Sequence, residues 1–352
     1  MAAWEQIVEN IELPEHNQKV YIWGAGNTSV LNHQGMVREN LYQELQVVAF
    51  IDSNLAGTIR NGLPVFHPKV LGEKKPYEQF VLISTTNDYV FLEIEAICKE
   101  KGVQCCRLDM AILKLRKEKF LQAANLFDSE SQLIYNKILE YRVFCQDKFA
   151  KLFTDNVYFG IPAFCRSNPN DIIIDCGAYV GDSAEQYIWK MNQFKQYIAI
   201  EPDIENFRAM QKRFKRLRDE WNFSEEKLTA IHCGVDEITS VMNLERRVNG
   251  LGSVVGRERM GDGGKVQFWA LDDLLQEGFS FLKADIESYE YRLLKGGQKH
   301  IKKYHPRMAI CIYHSMIDMY SIPLFIHEID PSYRLAVRHH SYCYEETVLY
   351  AY

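Results

Sequence analysis

Two acids and two glycines mark the part of the chain whose spacing could do chemistry. Asp175 follows the apolar β-branched run 172–174, and the sequence then reads Cys176, Gly177, Ala178, Tyr179, Val180, Gly181, Asp182, Ser183. Glu201, followed by Pro202, ends a second strand-like run, Tyr197 to Ile200. Glycines let a backbone turn sharply and approach a ligand. A helix N-terminus offers free N–H groups, and a carboxylate at the end of the next strand can accept from both hydroxyls of a ribose. Here the acid precedes the first glycine, and the spacing is not G-x-G-x-x-G. That order points to S-adenosylmethionine more than to a dinucleotide. Asp175, Gly177, Ala178, Tyr179, Gly181, Asp182, Ser183, Glu201 and Pro202 are the cofactor-binding candidates. The competing reading makes the glycines plain turn residues and Glu201 a solvated acid at a helix start.

A second group of polar residues lies further on. The strand-like run Phe279 to Ala284 contains Lys283 and leads into Asp285 and Glu287, with alternation placing the three on one side if the strand persists. His314 follows the apolar run Arg307 to Tyr313. Methyl transfer to a hydroxyl needs a base, so Asp285, Glu287 and His314 are the catalytic candidates, and Asp285 is also a cofactor candidate. Glu290 reads as a helix-dipole acid. No dedicated metal set is evident. The strand Leu228 to His232 ends at Cys233, Gly234, Val235 and Asp236, a loop position beside an adenine in a doubly wound sheet, so Cys233, Gly234 and Val235 join the cofactor candidates. The stretch Arg246 to Lys265, rich in glycine and arginine, reads as a long loop over the binding side.

The elements that must hold these residues alternate strand and helix, an α/β pattern of doubly wound sheets. The helix from Ile204 carries Phe207, Met210, Phe214 and Leu217 on one face. Lys212 to Arg216 supplies its wet side. The last strands, Leu335 to Arg338 and Thr347 to Tyr352, should form an antiparallel pair closing the sheet edge. An independent strand–glycine turn opens the chain, Lys19 to Trp23 then Gly24, Ala25 and Gly26, with Asp52 ending the next strand, Val47 to Ile51. The expected organisation is a Rossmann-like domain over 1–115, a helical connector over 116–154 and a second domain over 155–352. In the connector, Ser129 and Gln132 fit a capping box, followed by an apolar stripe of Leu133, Ile134, Ile138 and Leu139.

A chain of 352 residues is long enough for two domains, and 47% hydrophobic with 25% charged residues is ordinary for globular proteins. A net charge of −6 gives no electrostatic case for nucleic acid. Nine cysteines without a C-x-x-C pair suit reduced thiols in a cytoplasmic protein. No signal peptide and no membrane span are expected.

The runs 174–183, 200–202, 270–273, 282–287 and 294–297, with the strand 306–314 and residues 346–350, together resemble the FkbM family of S-adenosylmethionine-dependent methyltransferases over about 155–352. The resemblance implies a class I methyltransferase fold and O-methylation of sugars or of natural-product hydroxyls. It places Asp175, Gly177 and Gly181 around the methionine part of the cofactor and Glu201 at its ribose. Asp285 and Glu287 match the family's acidic step, but Ser288 stands where the family usually has glycine. The first domain resembles the small Rossmann-like modules found ahead of sugar-modifying enzymes, which implies nucleotide or nucleotide-sugar binding. Two other functions stay open: a non-catalytic nucleotide- or sugar-binding protein, and an NAD-dependent sugar oxidoreductase centred on Gly24, Gly26 and Asp52. The expected partner is a small-molecule or glycan acceptor, with a homodimer allowed.

Overall fold

The computed structural model describes residues 3–72, 75–144, 149–246, 253–256 and 264–352. The chain divides into two compact units. The first comprises Met1–Phe153 with Tyr313–Ser321 and Ser341–Glu345, and the second Thr154–Ile312 with Ile322–His340 and Glu346–Tyr352.

The first unit is built on six strands: β1 (Lys19–Trp23), β2 (Val47–Ile51), β3 (Ile59–Arg60), β4 (Leu63–Phe66), β5 (Gln79–Ile83) and β6 (Gln104–Arg107). Their order is β3-β4-β2-β1-β5-β6, parallel except for the β3–β4 hairpin. Burial of nearly every residue of β1, β2 and β5 explains their continuous apolar runs. Helices Lys117–Ala124 and Ser129–Phe144 belong to this unit. The cap differs from the expected box. Asp128, not Ser129, accepts from the Ser131 N–H (2.8 Å), and the Gln132 amide donates to the Phe127 carbonyl (3.0 Å). Asp128 lies one residue earlier and offers a charged acceptor. The apolar stripe is also narrower than expected, since Ile134, Ile138 and Leu139 are buried while Leu133 is exposed.

The second unit holds β7 (Ile172–Cys176), β8 (Gln196–Ile200), β9 (Leu228–Ile231), β10 (Gly234–Asp236), β11 (Ser240–Arg246), β12 (Ser253–Gly256), β13 (Lys265–Ala270), β14 (Phe281–Ala284), β15 (Arg307–Cys311), β16 (Leu335–His339) and β17 (Thr347–Ala351). Seven of them form one sheet in the order β16-β17-β15-β14-β7-β8-β9. The five strands from β15 to the edge strand β9 are parallel, and β17 runs antiparallel to both β15 and β16. The chain leaves β7 toward β8 on one side and returns to β14 on the other, so the strand order reverses between β7 and β14. Open α/β sheets bind ligands at the carboxyl ends of strands at such a reversal. Met210, Phe214 and Leu217 of helix Ile204–Trp221 are buried, as its apolar face requires, and Arg213 and Arg216 on its other side pair with Glu185.

Nothing in the sequence signals the second, smaller sheet, ordered β10-β13-β11-β12. Gly234–Asp236 is therefore a strand and not a loop. Gly234 pairs with Phe268, whose ring would lie 2.2 Å from any Cβ at Gly234. Within the stretch expected to be one long loop, Ser253–Gly256 pairs with β11. The glycines at 250, 252, 261 and 263 lie outside the described residues, as does Cys145. No described helix is long and apolar enough to cross a membrane.

Candidate functional site

The turn after β7 is forced by close packing. Gly177 has a φ of +74°, and a side chain there would begin 1.9 Å from the Asp285 carbonyl oxygen at the end of β14. Any other residue would clash and be strained. The Gly177 and Ala178 N–H groups both donate to the Ile200 carbonyl at the end of β8 (3.0 and 3.1 Å). Asp285 N donates to the Cys176 carbonyl (3.1 Å). The carboxyl ends of β7, β8 and β14 thus meet around one glycine.

Glu201 closes the same turn. Its Oε2 accepts from Tyr179 N (3.0 Å) and its Oε1 from Asp203 N (2.9 Å). Tyr179 is in the left-handed region (φ +49°) with its side chain partly exposed, while Ala178 is buried. Burial pushes the Glu201 carboxyl up to about 7, against the lowering effect of the Asp203 and Tyr179 N–H groups. Pro202 links Glu201 to Asp203, whose side chain caps helix Ile204–Trp221 through the N–H groups of Glu205 and Asn206. Gly181 (φ +80°) opens helix Asp182–Met191 and packs beside Met210 and Phe214. Asp182 is exposed there and Ser183 buried.

Asp175 is fully buried and bonded to protein partners. Lys283 Nζ lies 2.9 Å from its Oδ1, and the Tyr197 hydroxyl donates to its Oδ2 (2.7 Å). Lys283 also donates to the Gly177 carbonyl (2.7 Å). Burial opposes its charge, yet Asp175 and Asp285 hold the Lys283 ammonium above the ordinary lysine range. The pair anchors the glycine turn from below. Tyr197 and Tyr158 are not among the residues expected at the site, and Lys283 is expected there only as a member of a strand row with Asp285 and Glu287. A lysine inside an otherwise apolar strand was the one available signal, because a buried ammonium requires an acid on a neighbouring strand.

Asp285 is half-buried and accepts from the Tyr158 hydroxyl (2.9 Å). Strand alternation does not continue beyond it. β14 stops at Ala284, and Glu287 and Ser288 are both left-handed (φ +58° and +72°). Lys283, Asp285 and Glu287 therefore do not form a strand row. Glu290 is fully buried and accepts from Ile286 N (2.8 Å), so it fixes this turn instead of merely facing a helix dipole. Cys233 is buried after β9, and Val235 and Asp236 are enclosed in β10, where Arg292 pairs with Asp236 (2.8 Å to Oδ2). His314 is buried, and the segment 313–321 that contains it clusters with the first unit.

Residues 175–340 match the model of the Methyltransferase FkbM domain. No curated protein matches the sequence. A solved methyltransferase FkbM from Methylobacillus flagellatus KT shares 20% identity with a TM-score of 0.58, over 100% of this chain and 94% of that one. At that identity the likeness shows the fold. An rRNA methylase from Streptococcus thermophilus shares 12% identity, covering 59% of this chain and 93% of that one, with a TM-score of 0.34. Fibrillarin from Aeropyrum pernix, solved with S-adenosyl-L-methionine bound, shares 11% identity, covering 53% and 67%, with a TM-score of 0.32. The matched residues lie mostly in the second unit, whose seven-stranded order with the antiparallel closing pair is the class I methyltransferase fold.

Proposed function

We propose that the protein is an S-adenosylmethionine-dependent O-methyltransferase acting on a hydroxyl of a sugar, glycan or natural product. The observation that carries this reading is the shared turn: Gly177, which only glycine can occupy, and the buried Glu201 carboxylate meet at the sheet's reversal point. That cradle fits an adenosyl sulfonium. Glu201 would accept from the ribose hydroxyls, and the Gly177–Gly181 turn would take the methionine end, with Cys233 beside the base. When bound, the sulfonium supplies an already activated methyl group. The chain's own contribution is alignment and proton removal. Asp285, held by Tyr158 at the end of β14, is the base we favour, followed by Glu287 and His314.

Incubation with methyl-labelled cofactor and a panel of glycans and hydroxylated small molecules tests the reading. Label transfer to oxygen, abolished in Asp285→Asn, is expected. Cofactor bound without transfer to any member of the panel would favour a binding module.

A further inference from the structure

The carboxyl edge of the large sheet in the second unit gathers more than the glycine turn. β14 and β15 run parallel, so Asp285 after β14 and Cys311 at the end of β15 stand on that edge. β17 runs antiparallel to β15, with Val348 opposite Cys311, so its opening end brings Glu346 to the same edge. Glu346 is held in the left-handed region (φ +60°), a conformation that a glutamate adopts only where its surroundings impose it. One ligand atom from each of Asp285, Cys311 and Glu346, a carboxylate oxygen or the sulfur, lies within 4.8 Å of the other two. An independent observation concerns the sulfur. Cys311 is fully buried, and its thiol takes no hydrogen bond among the described residues, yet it faces two carboxylates. The Tyr158 hydroxyl donates to Asp285 Oδ2 (2.9 Å), an outer contact of the kind that orients a metal-ligating carboxylate. The neighbouring Lys283 ammonium is already paired with Asp175 (2.9 Å).

We infer that Asp285, Cys311 and Glu346 form a binding site for a divalent ion of the zinc kind. A thiolate with two carboxylates suits zinc, whereas magnesium and calcium take oxygen ligands. Zinc bonds of about 2.3 Å to sulfur and about 2.1 Å to oxygen put tetrahedral ligands roughly 3.5 Å apart. Side-chain rotation closes the set to that spacing, and the thiol proton leaves to solvent as the sulfur bonds. Three protein ligands leave a fourth position for water or a substrate oxygen. The site shares Asp285 with the proposed methyl-transfer reading. Zinc binding is measured without cofactor or acceptor, so either reading can fail without the other.

Calorimetry with Zn²⁺ on the full chain, first stripped with a chelator, tests the site, and Co²⁺ serves as a spectroscopic probe. Wild type should bind one Zn²⁺ per chain, and Co²⁺ should give a thiolate-to-metal charge-transfer band. Millimolar Mg²⁺ should displace neither ion. The band should vanish in Cys311→Ser and persist in Cys343→Ser, which removes an exposed thiol. Zinc affinity should fall at least tenfold in Glu346→Gln. That position is partly exposed, so it decides the matter even where Cys311→Ser fails to fold. No binding at micromolar free zinc, a band that survives Cys311→Ser or is lost in Cys343→Ser, displacement by Mg²⁺, or undiminished affinity in Glu346→Gln would each overturn the inference.

Discussion

The two units place the same turn on different foundations. In the first, the residue two before the turn glycine is Ile22, paired in register with Leu82. In the second, the equivalent pair is Asp175 and Lys283. Both turns share the same backbone bonds: Gly24 N donates to the Ile51 carbonyl (2.9 Å) and Gly177 N to the Ile200 carbonyl (3.0 Å). Both have an acid that accepts from a turn N–H, Asp52 in one and Glu201 in the other. The second unit alone adds a buried ion pair whose lysine also grips the turn carbonyl. Ion pairs in cores seldom improve stability over an apolar pair. This one is therefore best understood as fixing the shape of the turn.

The largest test of that contrast removes Lys283. Lys283→Met leaves the Asp175 carboxylate buried without its counter-ion, and should cost about 3–5 kcal/mol in chemical denaturation, while Leu82→Met should cost under about 1.5 kcal/mol. Equal losses would erase the distinction between the units. Next in size is Glu201→Ala. Losing charged acceptor bonds to a ribose should weaken cofactor binding by about 1.5–3 kcal/mol, roughly ten- to a hundredfold.

The raised Glu201 pKa adds a pH dependence. The folded chain retains a proton that the unfolded chain loses between about 4.5 and 7. This contribution to stability is therefore full below pH 4.5 and is lost as pH rises through 7. Cofactor affinity runs the other way, rising from pH 6 to 8 as the carboxylate ionises. A flat affinity profile in wild type would contradict it, and Glu201→Gln should be flat. The smallest effect is expected at Ser288, which is left-handed and buried with a hydroxyl lacking a partner among the described residues. Ser288→Gly should stabilise the second unit by about 0.5–1 kcal/mol in thermal melts. A loss of stability there would mean that the serine side chain packs usefully.

The sequence disclosed the strands and the two glycine turns because buried parallel strands read as unbroken apolar runs. Glu201 was legible for the same reason, as the acid that ends such a run. Three things escaped. Asp128 displaced Ser129 as a cap because its side chain accepts from the Ser131 N–H while its carbonyl takes the Gln132 N–H that the box would have used. The small second sheet was hidden because β10 has only three residues and β12 four, and β12 lies within glycine-rich sequence. The row of Lys283, Asp285 and Glu287 failed because two consecutive left-handed residues broke the alternation, something that Glu and Ser rarely signal. The departure at Ser288 from the FkbM pattern was visible, and its meaning emerged only with the φ of +72°.

Equilibrium dialysis of labelled S-adenosylmethionine against wild type, Glu201→Gln and Asp52→Asn tests the central claim most directly. The account predicts one bound cofactor per wild-type chain, at least tenfold weaker binding in Glu201→Gln, and unchanged binding in Asp52→Asn. Binding that survives in Glu201→Gln and disappears in Asp52→Asn would contradict it.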